Sequence, residues 1–300
     1  MSYRYSICVS TAIALLVGGC TQVRGRKRIQ EANELYRRGK YAEAVALYEE
    51  AETLVPNLAT LWLNKGYTCR QLIAPGGKDA ESRRAAGCAL EAFRRLGEIA
   101  PHDPRAAELT LATWSDIEDF PALESTFLDR NRRAPDDVDV VRGLQDVYYR
   151  WGKWPEALKW SKRAAALRPE DAEAQYGVGT FVWQILSARG GGSEMATYDP
   201  WPHAAPEPGK PLGAPAPSPP LAAMSDVTGT LRVELADQGI AYLEKALARR
   251  PRYPEAMTYA SLLWRQKSFA LFADPIAWQG AVDEADAWQQ KALLARAGKS

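Results

Sequence analysis

Between Tyr41 and Leu54 the apolar positions recur with a helical period. Ala42, Val45, Ala46 and Tyr48 form a stripe, and Glu49 belongs to the polar face. The same kind of pattern returns down the chain, marked out by prolines. Pro101, Pro135 and Pro169 are spaced 34 residues apart. Fifteen positions before a proline stands an aromatic: Tyr41, Phe120, Trp154. Eight before stand Tyr48, Phe93, Phe127, Ser161 and Leu243, an aromatic or its substitute. Small residues stand twelve and five before, as in Ala44 and Ala51, Ala157 and Ala164, Gly239 and Ala246. Gly39 and Gly152 lie seventeen before, and Cys69, Trp114, Tyr148, Val182 and Trp264 lie thirteen after. Two antiparallel helices approach closely only where side chains are small, and aromatics fill the space beside those contacts. A proline cannot continue the second helix, and a glycine lets the chain turn between the two. The pattern predicts about six helical hairpins, starting near residues 25, 59, 104, 138, 172 and 254.

A repeat of this length resembles the tetratricopeptide repeat family. The segment Leu35-Tyr36-Arg37-Arg38-Gly39-Lys40-Tyr41-Ala42-Glu43-Ala44-Val45 looks like that family's helix–turn–helix junction, and Trp151-Gly152-Lys153-Trp154-Pro155-Glu156-Ala157-Leu158 repeats it. The resemblance implies an all-α chain, a right-handed α-solenoid, with units 1–5 over residues 29–186 and C-terminal helices over 230–295. Such arrays bind other proteins and rarely perform chemistry.

Two interruptions break the period. The spacing from Pro56 to Pro101 is 45, which places an insertion around Ala74-Pro75-Gly76-Gly77-Lys78-Asp79. The spacing from Pro169 to Pro251 is 82, and residues 187–229 hold nine of the chain's twenty prolines. Such a composition buries no core and is expected to be flexible and disordered. It reads as a surface loop, or as a docking arm with Pro208 to Pro211 in polyproline conformation. The last unit has no closing proline, and Phe272-Ala273-Asp274-Pro275 stretches its turn.

The chain opens with Arg4 and an apolar run from Ile7 to Val17, too short to span a membrane and suited to a secretory signal over residues 1–19. Val17-Gly18-Gly19-Cys20 resembles a bacterial lipobox, which implies cleavage and lipidation of Cys20, with residues 20–28 as a basic tether. Several acyl chains hold a protein stably on a bilayer where one does not. Thr21 in place of an aspartate favours an outer-membrane, periplasm-facing location in a Gram-negative cell. Arg24, Arg26, Lys27 and Arg28 are expected either to touch anionic headgroups or to be a solvated tether.

The charge balance changes little in this picture. The chain carries 38 basic and 37 acidic residues, and one of the basic ones, Arg4, lies in the leader, so bulk charge gives no support for a nucleic-acid partner. Cys69 and Cys88 flank the first insertion and are expected either to form a disulfide in an oxidising compartment or to serve as small buried apolar residues. No metal site and no cofactor is expected: the chain has two histidines, His102 and His203, and no Cys-x-x-Cys pair. There is no Gly-x-Ser-x-Gly elbow, and Gly298-Lys299-Ser300 lacks the earlier glycine and following helix of a phosphate loop. The chain therefore reads as a binding protein and not an enzyme.

In the resembling family the first helix of each unit lines a concave groove. Carried over by register, this places Asn33, Tyr36, Arg37, Asn64, Tyr67, Arg70, Arg105, Arg142, Asp146, Tyr149, Arg150, Tyr176, Trp183, Gln184 and Arg265 in it. The set is rich in Tyr, Trp and Arg, the types that carry interface energy, and suits a protein or peptide partner with acidic character. Family members that clamp a C-terminal carboxylate use two asparagines and basic residues. Asn33, Asn64 and Arg105 match, while Ile29 and Leu109 stand at basic places. Two systems share the layout, the pilotin lipoproteins of type IV pilus secretins and the helical-repeat lipoprotein of outer-membrane β-barrel assembly. A glycan- or peptidoglycan-associated role would use Trp114, Trp151, Trp154 and Trp183 as an exposed row.

Overall fold

The computed structural model describes residues 4–188, 227, 229–271 and 273–298, with side chains from residue 21 onward. Among them the chain is all-helical: α1 (Arg4–Arg37), α2 (Tyr41–Leu54), α3 (Ala59–Arg70), α4 (Ala80–Ile99), α5 (Arg105–Asp116), α6 (Phe120–Arg133), α7 (Val138–Arg150), α8 (Trp154–Ala166), α9 (Ala172–Ala188), α10 (Gly229–Arg249), α11 (Pro254–Leu271) and α12 (Pro275–Arg296). The chain divides into two compact units, residues 1–126 and 127–300, and α6 crosses the division.

In the first unit α1 packs on α2, α2 on α3, α3 on α4 and α4 on α5. The core gathers Ala32, Ala44, Tyr48, Ala51, Leu61, Cys69, Ala89, Phe93 and Leu96, all 1% exposed or less. On α2 the buried stripe is Ala44, Tyr48 and Ala51, whereas Ala42 and Ala46 are exposed and Val45 is half-buried. The helix is rotated from the stripe read in the sequence: its small residues Ala44 and Ala51 turn inward with Tyr48, and Ala42 and Ala46 fall on the exposed side. Phe93 explains a glycine in α3. A Cβ on Gly66 would stand 2.3 Å from the Phe93 ring, so only a residue without a side chain lets that ring seat.

Turns inside the hairpins share one backbone bond. Lys40 N–H donates to Leu35 O (3.0 Å), Asp119 N–H to Trp114 O (2.9 Å) and Lys153 N–H to Tyr148 O (2.9 Å). Each closes over a residue in the left-handed region: Gly39 at φ 72°, Glu118 at φ 53° and Gly152 at φ 79°. The first insertion is folded. Asp79 caps α4, accepting from Ser82 N–H (2.8 Å) and Ser82 Oγ (2.6 Å), and these bonds hold its carboxyl below the usual carboxylate range. Gly77, at φ 51°, lies against Ile117 at the end of α5, and Cys69 and Cys88 are joined by a disulfide across α3 and α4 with their Cα atoms 5.9 Å apart.

In the second unit α7 packs on α8, α8 on α9, α9 on α10 and α11, α10 on α11, and α11 on α12. Its core includes Leu144, Ala157, Val178, Val182, Ile185, Leu243, Ala260 and Leu263, none more than 1% exposed. Leu243 on Gly179 repeats the Phe93–Gly66 contact: a Cβ there would stand 2.4 Å from Leu243 Cγ. Arg232, only 2% exposed, donates to the carbonyls of Val227 (3.0 Å) and Leu186 (3.5 Å) and to Gln266 Oε1. Burial lowers its pKa to about 10. The body of the Pro-rich stretch 187–229, including Tyr198, Trp201 and Met224, lies outside the described residues, as does Phe272.

The stretch 20–28, read as a tether, lies within the helical backbone of α1. Gly25 and Ile29 are buried, and a Cβ on Gly25 would meet Val55 Cγ1 at 2.7 Å, so α1 is already packed on the end of α2 at Gly25. Among the described residues no helix is long and apolar enough to cross a membrane.

Candidate partner-binding site

Two pockets form where consecutive first helices of the hairpins lie side by side. In the first unit, Asn33, Tyr36 and Arg37 of α1, Asn64, Tyr67 and Thr68 of α3, and Tyr48 of α2 enclose about 390 Å³. Tyr48 forms the floor. Its hydroxyl donates to Asn33 Oδ1 at 2.6 Å, and Asn64 Nδ2 donates to the same oxygen at 3.0 Å. Asn33 Oδ1 is thereby held by two donors, which fixes the amide group. Burial raises the Tyr48 pKa, with the Thr68 hydroxyl opposing the shift. Tyr67 is 36% exposed on the wall, packed edge-on against Phe93 with ring centroids 6.3 Å apart.

In the second unit, α7 supplies Arg142, Gln145, Asp146 and Tyr149, α9 supplies Glu173, Ala174, Gly177, Phe181 and Gln184, and Ser161, Ala164 and Ala165 of α8 form the floor of a cleft of about 460 Å³. Tyr149 and Phe181 meet edge-on at 5.3 Å and make its apolar wall. The rim is charged. Asp146 lies 3.8 Å from Arg150, and Glu173 accepts from Arg250 (2.9 Å) and the Tyr253 hydroxyl (2.7 Å). Arg142 is exposed, with no acidic partner among the described residues.

Of the residues carried over by register, five meet in the first pocket (Asn33, Tyr36, Arg37, Asn64 and Tyr67) and four in the second (Arg142, Asp146, Tyr149 and Gln184). Arg150 stands beside the second without lining it. The others are engaged elsewhere. Arg70 binds Asp116 (2.6 Å) next to the folded insertion, Arg105 binds Asp103 (2.6 Å) in the turn before α5, and Arg265 binds Asp286 (2.6 Å) on α12. Tyr176 and Trp183 pack on Tyr259 of α11, with centroids 5.7 and 5.3 Å away, and Tyr176 also meets Tyr253 at 4.9 Å. That aromatic cluster fills the space between α9 and α11. Burial, then Tyr259 and the nearby Glu255 and Glu173, push the Tyr176 pKa up to about 12. Ile29 and Leu109, at the basic places of a carboxylate clamp, are buried at 7% and 8% exposure.

Register reasoning did not name Gln145, Ser161, Glu173, Gly177 or Phe181. The signal for Ser161 was present, since it stands where other hairpins carry Tyr48, Phe93, Phe127 and Leu243. No group of three or more His, Cys, Asp or Glu among the described residues could hold a metal ion. None of the nine described tryptophans is exposed; Trp62 and Trp278 are buried and the other seven are half-buried.

The family profile described as TPR repeat matches residues 32–70. This segment is similar to a TPR repeat. All seven residues lining the first pocket fall within it. No curated protein matches the sequence. Among solved structures the chain is similar to one described as the crystal structure of MamA protein, at 14% identity, with a TM-score of 0.41, covering 80% of this chain and 92% of that one. A MamA RS-1 ArsTM double mutant is 16% identical over 53% of this chain and 84% of its own, with a TM-score of 0.36. A further crystal structure of MamA is 13% identical over 89% of this chain and 95% of its own, with a TM-score of 0.30.

Proposed function

We propose that the chain is a membrane-anchored docking scaffold that holds a protein or peptide partner in the pockets on its first helices and releases it unchanged. The observation that carries this reading is the pocket inside the TPR repeat, where Asn33 is held by two hydrogen bonds beside Tyr36, Arg37 and Tyr67. A site of fixed polar groups with aromatic walls suits an extended peptide. Among the described residues no tryptophan is exposed to make a row for a glycan to stack on, and the reading as a protein-binding scaffold is preferred.

The anchor in this reading is Cys20, acylated at the periplasmic face of the outer membrane of a Gram-negative cell. Helical register supports it. Position 20 shares a face with Val23, Arg24 and Lys27, at i, i+3, i+4 and i+7, and Val23 is 70% exposed. Gly25 lies five residues on, about 7.5 Å along the helix at 1.5 Å per residue, so the array would stand close on the bilayer. Basic side chains there would meet anionic headgroups.

Two measurements test the two halves of the proposal. The N-terminal peptide of the membrane-extracted protein should carry an acyl mass on Cys20, and Cys20→Ser should release the protein to the soluble fraction. An unacylated Cys20 in a membrane-bound protein overturns the anchor. Arg142→Glu with Arg150→Glu should abolish recovery of the cross-linked partner at unchanged fold, and undiminished recovery overturns the groove.

A further inference from the structure

The floor of the second-unit cleft carries a small residue where other hairpins carry a large one. Eight residues before each closing proline, Tyr48, Phe93 and Leu243 are buried to 1% exposure or less. Phe93 seats on Gly66 and Leu243 on Gly179, each ring or branch standing where the opposite helix has no side chain. Phe127 seats on Gly143, whose Cβ would lie 2.2 Å from that ring. In the α7–α8 hairpin the corresponding residue is Ser161, and Gln145 of α7 lines the same cleft. Ser161 is 4% exposed, Ala164 and Ala165 continue the floor, and nothing lies within 4 Å of a Cβ built on Gly177. The cleft of about 460 Å³ is therefore lined by a small hydroxyl residue where an aromatic or leucine stands in the neighbouring pattern, and it is open beside Gly177.

We propose that this cleft takes an aromatic side chain from a docked peptide, tyrosine above all, which seats over Ser161 against the aromatic wall. The inference rests on the docking-scaffold reading and adds the chemistry of the anchor residue. Ala164 and Ala165 offer an apolar floor, Tyr149 and Phe181 an aromatic wall, and stacking or edge-on contact there suits a ring. Gln145 and Gln184 supply amide groups that pair with a phenol hydroxyl, which separates tyrosine from phenylalanine. Arg142, exposed and without an acidic partner among the described residues, meets a carboxylate beside the ring. An aromatic anchor in a pocket with a polar rim is the arrangement that concentrates binding energy.

N-acetyl-tyrosinamide serves as the probe, titrated into the full chain with the alanine methyls isotopically labelled. Saturable shifts at Ala164 and Ala165 are expected, weaker with N-acetyl-phenylalaninamide and absent with N-acetyl-alaninamide. Ser161→Phe and Ser161→Leu should lose the response at an equal or higher melting temperature, because each fills its own cleft. Ser161→Ala should keep it. Two results overturn the inference: no shift at Ala164 and Ala165 in the folded wild type, or an undiminished response in Ser161→Phe or Ser161→Leu. If the tyrosine response is lacking while partner recovery still depends on Arg142 and Arg150, the anchor chemistry fails and the scaffold reading stands. If both are lacking, the scaffold reading fails with it.

Discussion

Glu118 holds a left-handed backbone, φ 53°, at the turn where the hairpins around it use Gly39 and Gly152. A side chain there crowds its own carbonyl, at a cost of about 1–2 kcal/mol. Its carboxylate reaches Lys78 at 2.7 Å, an ion pair with the lysine 75% exposed, worth less than about 1 kcal/mol in water. The strain outweighs the pair. Glu118→Gly is therefore expected to raise stability by roughly 0.5–1 kcal/mol, read as a higher denaturation midpoint at unchanged slope. A lower midpoint would show that the Lys78 contact, which ties the insertion to this turn, matters more than the backbone. Single residues also decide the site. Asn33 was legible from its register, but its two hydrogen bonds were not, because Tyr48 and Asn64 come from helices that only the fold brings together.

At the scale of elements the proline spacing was informative. Starts read near 59, 104, 138, 172 and 254 fall on the first residues of α3, α5, α7, α9 and α11 to within one position, and Tyr41, Phe120 and Trp154 begin α2, α6 and α8. The reason is that one short turn geometry joins these helices, so sequence offset translates directly into position. The first start, near 25, has no such turn before it, and α1 runs continuously from Arg4. The extra residues of the second hairpin lack the period, and their fold depends on contacts distant in sequence: Gly77 on Ile117, Arg70 on Asp116, Cys69 with Cys88. The disulfide closes a separation of 19 residues, and a loop of that size is restrained in the unfolded chain by about 3 kcal/mol. Cys88→Ser, leaving Cys69 as a buried thiol, should lower the unfolding free energy of the protein by about that much. The intact protein should gain two alkylated thiols on reduction under denaturing conditions and none without it, apart from Cys8 or Cys20 where these are free. Alkylation of Cys69 without reduction would contradict the pairing.

For the whole molecule, the described residues are all-helical, and the segment 32–70 is similar to a TPR repeat, the observations on which the proposed binding role rests. Each compact unit carries a pocket on its first helices, and register located nine of the fifteen proposed groove residues in them. Arg150 stands beside the second pocket, and the other five lie outside both for one physical reason. Position on a helix face does not reveal that Asp116, Asp103 and Asp286 already occupy Arg70, Arg105 and Arg265, or that Tyr259 covers Tyr176 and Trp183. Position also could not show that Ser161 lines a cleft, although its departure from the aromatic pattern was visible.

The central claim, that a partner docks on the first helices, is tested most directly by photo-cross-linking in the native membrane. A photoreactive residue replaces Tyr67 or Gln184 in the two pockets, and Glu49 on the exposed face of α2 as the reference. The account predicts the same cross-linked partner from positions 67 and 184, none from 49, and loss of the product at 184 when Arg142→Glu is added. Equal cross-linking from position 49, or a product at 184 that is indifferent to Arg142, would contradict it.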